Sequence, residues 1–221
     1  MESAMIQLLV LAGIAVFLIL RLRSVLGTRD GFEKPPTTER VPERRQPKRP
    51  EFDVIEGGPD RDITDHVQDG SDAAKALAAM KMADRDFNLT EFLDGAKVAY
   101  EMILMAFENG DVRPVSDYIS DDVEESFVAA ISAREDQGLT VDASFVGVRE
   151  VGVQSARFDR GTGEGEITVR FVAELTSVVR NADGEIVEGN PNEIKRQRDI
   201  WTFARTMGAA DPNWKLVATG E

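Results

Sequence analysis

The chain has 221 residues, no cysteine, one histidine and a net charge of −14 at neutral pH. That length holds one domain of ordinary size plus appendages, and the missing cysteine excludes a disulfide framework, a thiolate zinc site and a cysteine nucleophile. Residues 1–50 carry nine Lys/Arg against five Asp/Glu, residues 51–86 four against ten, and residues 87–221 thirteen against twenty-five, so the acidic C-terminal part lacks the cationic footprint that phosphate backbones require and no nucleic-acid partner is expected.

Ala4, Leu8, Leu11, Phe17 and Leu20 belong to an apolar run of 17 residues interrupted by Gln7 and Gly13. As a helix it reaches about 26 Å, near the lower limit for a bilayer core of roughly 30 Å. A cleaved signal peptide is the competing reading. Glu2 in place of a basic n-region, and no small-x-small site before Arg21, favour an uncleaved anchor over residues 1–23. Arg21, Arg23 and Arg29 follow the run and no Lys or Arg precedes it. The positive-inside rule then puts a single-pass protein in an inner membrane with its C-terminal part on the cytoplasmic or matrix side. Arg21 and Arg23 either contact anionic headgroups, at about 1 kcal/mol each, or only fix topology; membrane lipids are one expected partner.

Residues 24–71 are rich in Pro and charge, with Pro35, Pro36, Pro42, Pro47 and Pro50 too close together for a helix, and are expected to form a disordered tether with a span of about 35 to 40 Å. Within it, Glu51-Phe-Asp-Val-Ile-Glu56 is either a short recognition motif or a chance cluster of apolar residues. His66 has no second ligand or base nearby in sequence, so neither a metal nor a general-base role is expected.

Residues 72–86 read as a lead-in helix capped by Ser71 or Asp72. Lys75, Lys81 and Arg85 beside Leu77, Met80 and Met82 suit a membrane surface; docking through the methionines is the alternative. The domain proper is expected over residues 87–221. It opens on one long amphipathic helix from Asn88 to Asn109-Gly110, with Leu89, Phe92, Ala96, Ala99, Tyr100, Ile103 and Phe107 at steps of three or four. Asn88 with Glu91 resembles a capping box, and Gly110 supplies the left-handed stop.

A short helix follows through Tyr118, then another from Ser120 to Gln137-Gly138 with Val123, Phe127, Ala130 and Ile131 as its buried stripe. From Leu139 the period changes to two. Ile167, Val169, Phe171, Ala173 and Leu175 share one face of a strand, Asn181-Ala-Asp-Gly184 marks a hairpin, the return breaks at Gly189-Asn-Pro191 and resumes as Ile194–Thr206, and Trp214–Thr219 closes the sheet. Helices followed by strands imply an α+β fold, with N-terminal helices packed on a curved antiparallel sheet. Tyr100, Phe107, Phe127, Phe171, Trp201 and Trp214 are the candidate lining of a hydrophobic pocket between the two, filled core being the alternative for each.

Phe92-Leu-Asp-Gly-Ala-Lys-Val-Ala-Tyr-Glu101, Ala106-Phe-Glu-Asn-Gly-Asp111, Asp199-Ile-Trp-Thr-Phe203 and Asp211-Pro-Asn-Trp214, in this order and spacing, resemble the Tim44-like domain family over about residues 87–219. That family comprises the 44-kDa subunit of the mitochondrial inner-membrane import translocase and bacterial TimA-type adaptors. The resemblance implies a cone-shaped, nuclear-transport-factor-2-like fold, a lead-in helix associated with the membrane, and an adaptor that recruits a protein partner, an Hsp70-type chaperone among them, instead of a reaction. A lipid or small hydrophobic ligand in the pocket is the alternative function.

The residues add no chemistry to that. No phosphate-binding or calcium loop is present, no nucleophile–base pair can be named, and Asp117, Asp121, Asp122, Glu124 and Glu125 sit where the helix macrodipole favours acids. No enzyme activity, cofactor or metal is expected.

Overall fold

The computed structural model describes residues 60–220. The anchor residues, Arg21, Arg23 and the Glu51–Glu56 motif lie outside them. Among the described residues four α-helices come first: α1 (Arg61–Thr64), α2 (Asp72–Ala83), α3 (Leu89–Glu108) and α4 (Asp121–Asp136), with a 3₁₀ turn at Arg113–Tyr118. Five strands follow: β1 (Thr140–Phe158), β2 (Glu164–Arg180), β3 (Ile186–Gly189), β4 (Lys195–Thr206) and β5 (Lys215–Gly220). The sheet is antiparallel in the order β1-β2-β4-β5, with β3 paired to the end of β2. The fold is therefore α+β. Among the described residues no helix is long and apolar enough to cross a membrane.

The helix ends are fixed by side chains the sequence displays. Asn88 Oδ1 accepts from Glu91 N at 2.9 Å and Ser71 Oγ from Ala74 N at 3.1 Å, each satisfying a donor the first turn leaves unpaired. Gly110 has φ 78°, and the bonds Gly110 N to Phe107 O and Asp111 N to Ala106 O close α3 in a Schellman motif.

Leu89, Phe92, Leu93, Ala96, Tyr100, Ile103 and Leu104 of α3 are buried in one core with Ile167, Val169, Phe171 and Ala173 of β2 and Trp201 and Phe203 of β4, the helical and strand periodicities meeting as the pattern requires. In α4, Val123 and Ile131 are buried, whereas Ala130 of the expected stripe is exposed.

The folded body takes in residues that composition assigns to the tether. Ile63 is buried, and the Asp62 carboxylate accepts from Leu89 N at 2.7 Å, Thr90 N at 2.9 Å and the Thr90 hydroxyl at 2.8 Å while pairing with Lys81 at 2.7 Å. Asp62 thus caps α3 from a segment 27 residues upstream of Leu89. Partial burial works against its charge, yet the bonds from Lys81, Leu89 and Thr90 hold this carboxyl far below the usual range. His66 joins the same cluster, its Nε2 lying 3.0 Å from Thr90 Oγ1; because that hydroxyl donates to Asp62, the imidazole is the donor to it.

Of the two readings of the lead-in helix, docking is what the structure has. Leu77 and Met80 are fully buried, with Met82 left exposed. Gly165 of β2 makes the close approach possible, since a Cβ there would stand 3.1 Å from Met80 Sδ.

Candidate functional site

The six candidate aromatics do not form one pocket. Tyr100, Phe171 and Trp201 are core: each is buried, with ring centroids 4.4 Å apart for Tyr100 and Phe171 and 4.7 Å for Tyr100 and Trp201. The Tyr100 hydroxyl donates to Asp199, whose other oxygen accepts from Gln197 Nε2 at 3.1 Å. Burial, and then the carboxylate beside it, push the phenol above its ordinary range. Sequence reading names no such acid–phenol pair, because 99 residues separate the two. Tyr100 is wholly buried, its ring stacked on that of Phe171, whereas Asp199 is half-buried.

Phe107 points elsewhere than expected. Its ring packs on Phe127 of α4 with centroids 4.8 Å apart, not on Phe171 or Trp201. Arg134 of α4 lies over it at 5.0 Å and donates to Phe107 O at 2.8 Å, a carbonyl that Gly110 N also bonds. Both phenylalanines are half-buried.

Of the six, Trp214 lines the cavity beside α3. That cavity, about 850 Å³, is a groove along the flank of α3, where the strand-facing stripe meets the end of β4 and the loop after it. Its floor is Phe92, Ala96, Ala99 and Phe203; its walls are the Asp84–Asn88 turn, Tyr118 and the Gly208–Trp214 loop; and Glu91, Gly95, Val98 and Met102 run along its rim. Val98 is 68% exposed, Tyr118 37% and Met102 36%, which is unusual for apolar side chains gathered in one concavity.

The loop wall is braced from below. Arg205 donates to Asp84 Oδ2 at 2.6 Å and to Pro212 O at 3.1 Å, and its guanidinium lies 5.1 Å over the Trp214 ring. Asp84 Oδ2 also accepts from Gly208 N at 3.3 Å, so one carboxylate ties the end of α2 to the start of the β4–β5 connection, and Arg205 carries the tie on to Pro212. Trp214 then packs on Phe92 at 4.7 Å and on Phe87 at 5.8 Å.

Charge is divided between the layers. Residues 60–138 carry seven Lys/Arg against nineteen Asp/Glu, whereas residues 139–220 carry ten against twelve. The groove opens on the acidic layer, with Asp86 and Glu91 exposed at its mouth. Asp121, Asp122 and Glu124 lie in the first turn of α4 under the Ser120 cap, and among the described residues no three His, Cys, Asp or Glu converge as metal ligands.

Sequence reading misses Phe87, Phe92, Val98, Met102 and Tyr118 as groove residues. The available signal is a second, shorter stripe on the long helix: Val98 and Met102 fall four apart but off the stripe of Phe92, Ala96, Tyr100 and Ile103.

Compared with known proteins, residues 73–221 match the Tim44-like domain. The mitochondrial import inner membrane translocase subunit TIM44-1 of Arabidopsis thaliana is 24% identical over 163 residues, covering 71% of this chain and 34% of that protein. TIM44 of Homo sapiens is 23% identical over 168 residues, covering 71% and 36%. The match thus spans about a third of the length of these relatives. A solved structure of the intermembrane space region of chloroplast protein ARC6 is similar over 58% of this chain and 94% of that one, at 9% identity and a TM-score of 0.38.

Proposed function

This chain belongs to the Tim44-like domain family, and on that premise we propose that it is a membrane-tethered adaptor whose α3 groove docks a protein partner at the inner membrane. Residues 1–23 serve as the anchor and the Pro-rich segment after them as the spacer, with the domain on the cytoplasmic or matrix side, as the arginines after the apolar run favour. The bulges in β1 at Phe145/Gly147, Val148/Glu150 and Val153/Ser155 are the device by which such a sheet curls toward the cone expected of the family.

The observation that carries the docking role is the exposure of Val98, Met102 and Tyr118 in a groove whose walls are braced by Arg205 and Asp84. A preformed apolar concavity loses little order on binding, which is what a docking surface needs. The relatives are named as subunits of an import translocase, which supports an adaptor over an enzyme.

A photo-crosslinking side chain placed at Val98 in the full-length protein in cells should capture a protein, identified by mass spectrometry, and Met102→Asp should abolish the capture. Capture that is equally strong from exposed Val187 at the far hairpin would remove the groove from this reading. The apolar floor also suits an acyl chain, the second reading; native mass spectrometry of the detergent-purified chain should then show a retained lipid.

A further inference from the structure

We propose that the open edge of β4 from Lys195 to Asp199 docks an acidic, extended segment of a protein partner as an added strand. None of these residues lines the α3 groove, and the inference does not rest on the groove's role.

A sheet edge presents a row of unpaired N–H and C=O groups, which folded proteins cover, shorten or distort. The outer edge of β1 is broken by its three bulges. That of β5 is covered at Leu216, which bridges Ile119 and accepts from Ser120 N at 2.9 Å, and β3 is only four residues long. The first half of β4 has none of these devices. β5 pairs with β4 from Ile200 to Ala204, so among the described residues Lys195 to Asp199 have a strand on one side only. Their pairing with β2, from Leu175↔Lys195 to Phe171↔Asp199, has no register shift. The edge is therefore regular over five residues, about 17 Å at 3.4 Å per residue, and an added strand would lie in line with β5.

Charge selects the occupant. The exposed charged residues of this stretch are Glu193, Lys195, Arg196 and Arg198. The other carboxylates beside it are already engaged. Glu174 is held by Arg149 at 2.6 Å and by Arg196 at 3.1 Å, Asp199 by Tyr100 and Gln197, and half-buried Glu108 feels Arg134 as well as Lys195. Among the described residues Arg198 makes no ion pair. Basic side chains on an edge are a common guard against unwanted pairing; here they act as a filter, repelling a basic strand and matching an acidic one.

Side-chain alternation adds a pattern. Arg196 and Arg198 stand opposite Glu174 and Val172 on one face of the sheet, so acids two residues apart on the added strand meet both. The residue between those acids falls on the face of Gln197 and Asp199 and is neutral, since an acid there would meet the Asp199 carboxylate. An anionic phospholipid or a nucleic acid would meet the same cations, but neither brings a strand backbone to pair with the edge.

The test uses the full-length chain in detergent and labelled peptides of about seven residues: alternating Glu/Thr, its Lys/Thr counterpart, and the Glu/Thr peptide with a methylated backbone, which keeps the charge and loses the donors. Read by anisotropy, the Glu/Thr peptide should bind at least about tenfold more tightly than either control, because only it offers both charge and ladder. Its binding should slow amide exchange within residues 195–199 by about tenfold or more, as pairing protects the edge. Arg198→Glu reverses an exposed charge and should weaken binding by about tenfold with the melt unchanged.

Equal binding of the methylated or the Lys/Thr peptide overturns the proposal, as does protection that appears elsewhere and not within residues 195–199. Displacement of the Glu/Thr peptide by anionic phospholipid vesicles, without that protection, reduces the edge to a general cationic patch and likewise overturns it. So does unchanged binding by an Arg198→Glu chain that melts normally. If that variant fails to fold, the methylated peptide on the wild-type chain decides alone.

Discussion

Two aromatic clusters meet at one helix, and they close to different degrees. On its sheet side, Tyr100, Phe171 and Trp201 are at most 4% exposed. Toward the loop after β4, Phe87 and Phe92 are buried as well, but Trp214 is only half-buried and the groove it borders leaves Val98 68% exposed. The residue types are similar, so composition does not separate them. The difference is the opposing surface: β2 presents an apolar side chain at every second residue from Ile167 to Leu175, whereas the loop facing the groove is Gly208-Ala-Ala-Asp-Pro-Asn213 before Trp214, too small and too polar to fill the space. An aromatic becomes core when a second wall closes on it, and stays available for binding when the wall is braced at a distance.

The largest effect expected from this contrast is on the closed side. Phe171→Ala removes a ring with no exposed surface that touches Tyr100, Trp201 and Phe203, and should cost about 3–5 kcal/mol. Denaturant unfolding of a fragment starting at residue 60 measures it. A loss below about 1 kcal/mol, typical of sites away from the packed core, would mean that the sheet side is loose and the contrast is false.

Next comes the brace of the open side. Asp84→Ala leaves the Arg205 guanidinium, 11% exposed, without its carboxylate, and should cost about 2–3 kcal/mol, under the full penalty for splitting a buried pair because some solvent reaches it. If partner capture at Val98 disappears while the melting transition stays cooperative, the brace shapes the groove and the rest of the fold does not depend on it.

Tyr100→Phe tests the closed side at one atom. The missing hydroxyl leaves Asp199 with Gln197 alone among its donors, for a loss of about 1–2 kcal/mol. The sign with pH is fixed by the raised phenol: folding keeps Tyr100 protonated, so its contribution is complete below the unfolded value of about 10 and is lost as pH climbs from there. Wild type should therefore lose stability in alkali more steeply than Tyr100→Phe, by thermal melts at rising pH.

How much of this the sequence displays depends on the range of the interaction. The bounds of α3 are legible because its signals are local: Asn88 caps it, Gly110 ends it and one stripe is apolar. The strand faces are equally legible, since Ile167 to Leu175 alternate without a break. The start of the folded body is not legible, because Asp62 acts through hydrogen bonds to residues 27 and 28 positions away and its own neighbours look like linker. The groove is hidden for a related reason. Helical spacing groups Phe107 with Tyr100, but the cover over Phe107 comes from α4, through Phe127, and no period in α3 reports where α4 lies.

The smallest effect on stability is expected where the effect on function is largest. Val98 is 68% exposed and Met102 36%, so Val98→Ser with Met102→Ser gives up little buried surface. Serine is slightly worse than methionine in a helix, and the pair together should cost no more than about 1 kcal/mol, near the range of ordinary surface changes. The same two substitutions remove the exposed apolar side chains of the α3 rim, and a docked partner should lose binding by tenfold or more, about 1.4 kcal/mol, as for residues at the centre of an interface. Measured on the same preparation, the two numbers separate the readings. A stability loss well above about 1 kcal/mol would show that Val98 and Met102 pack as core and that the groove is closed in solution. An unchanged melt with unchanged partner capture would show that the groove is open but idle, and that the binding surface of this domain lies on another face.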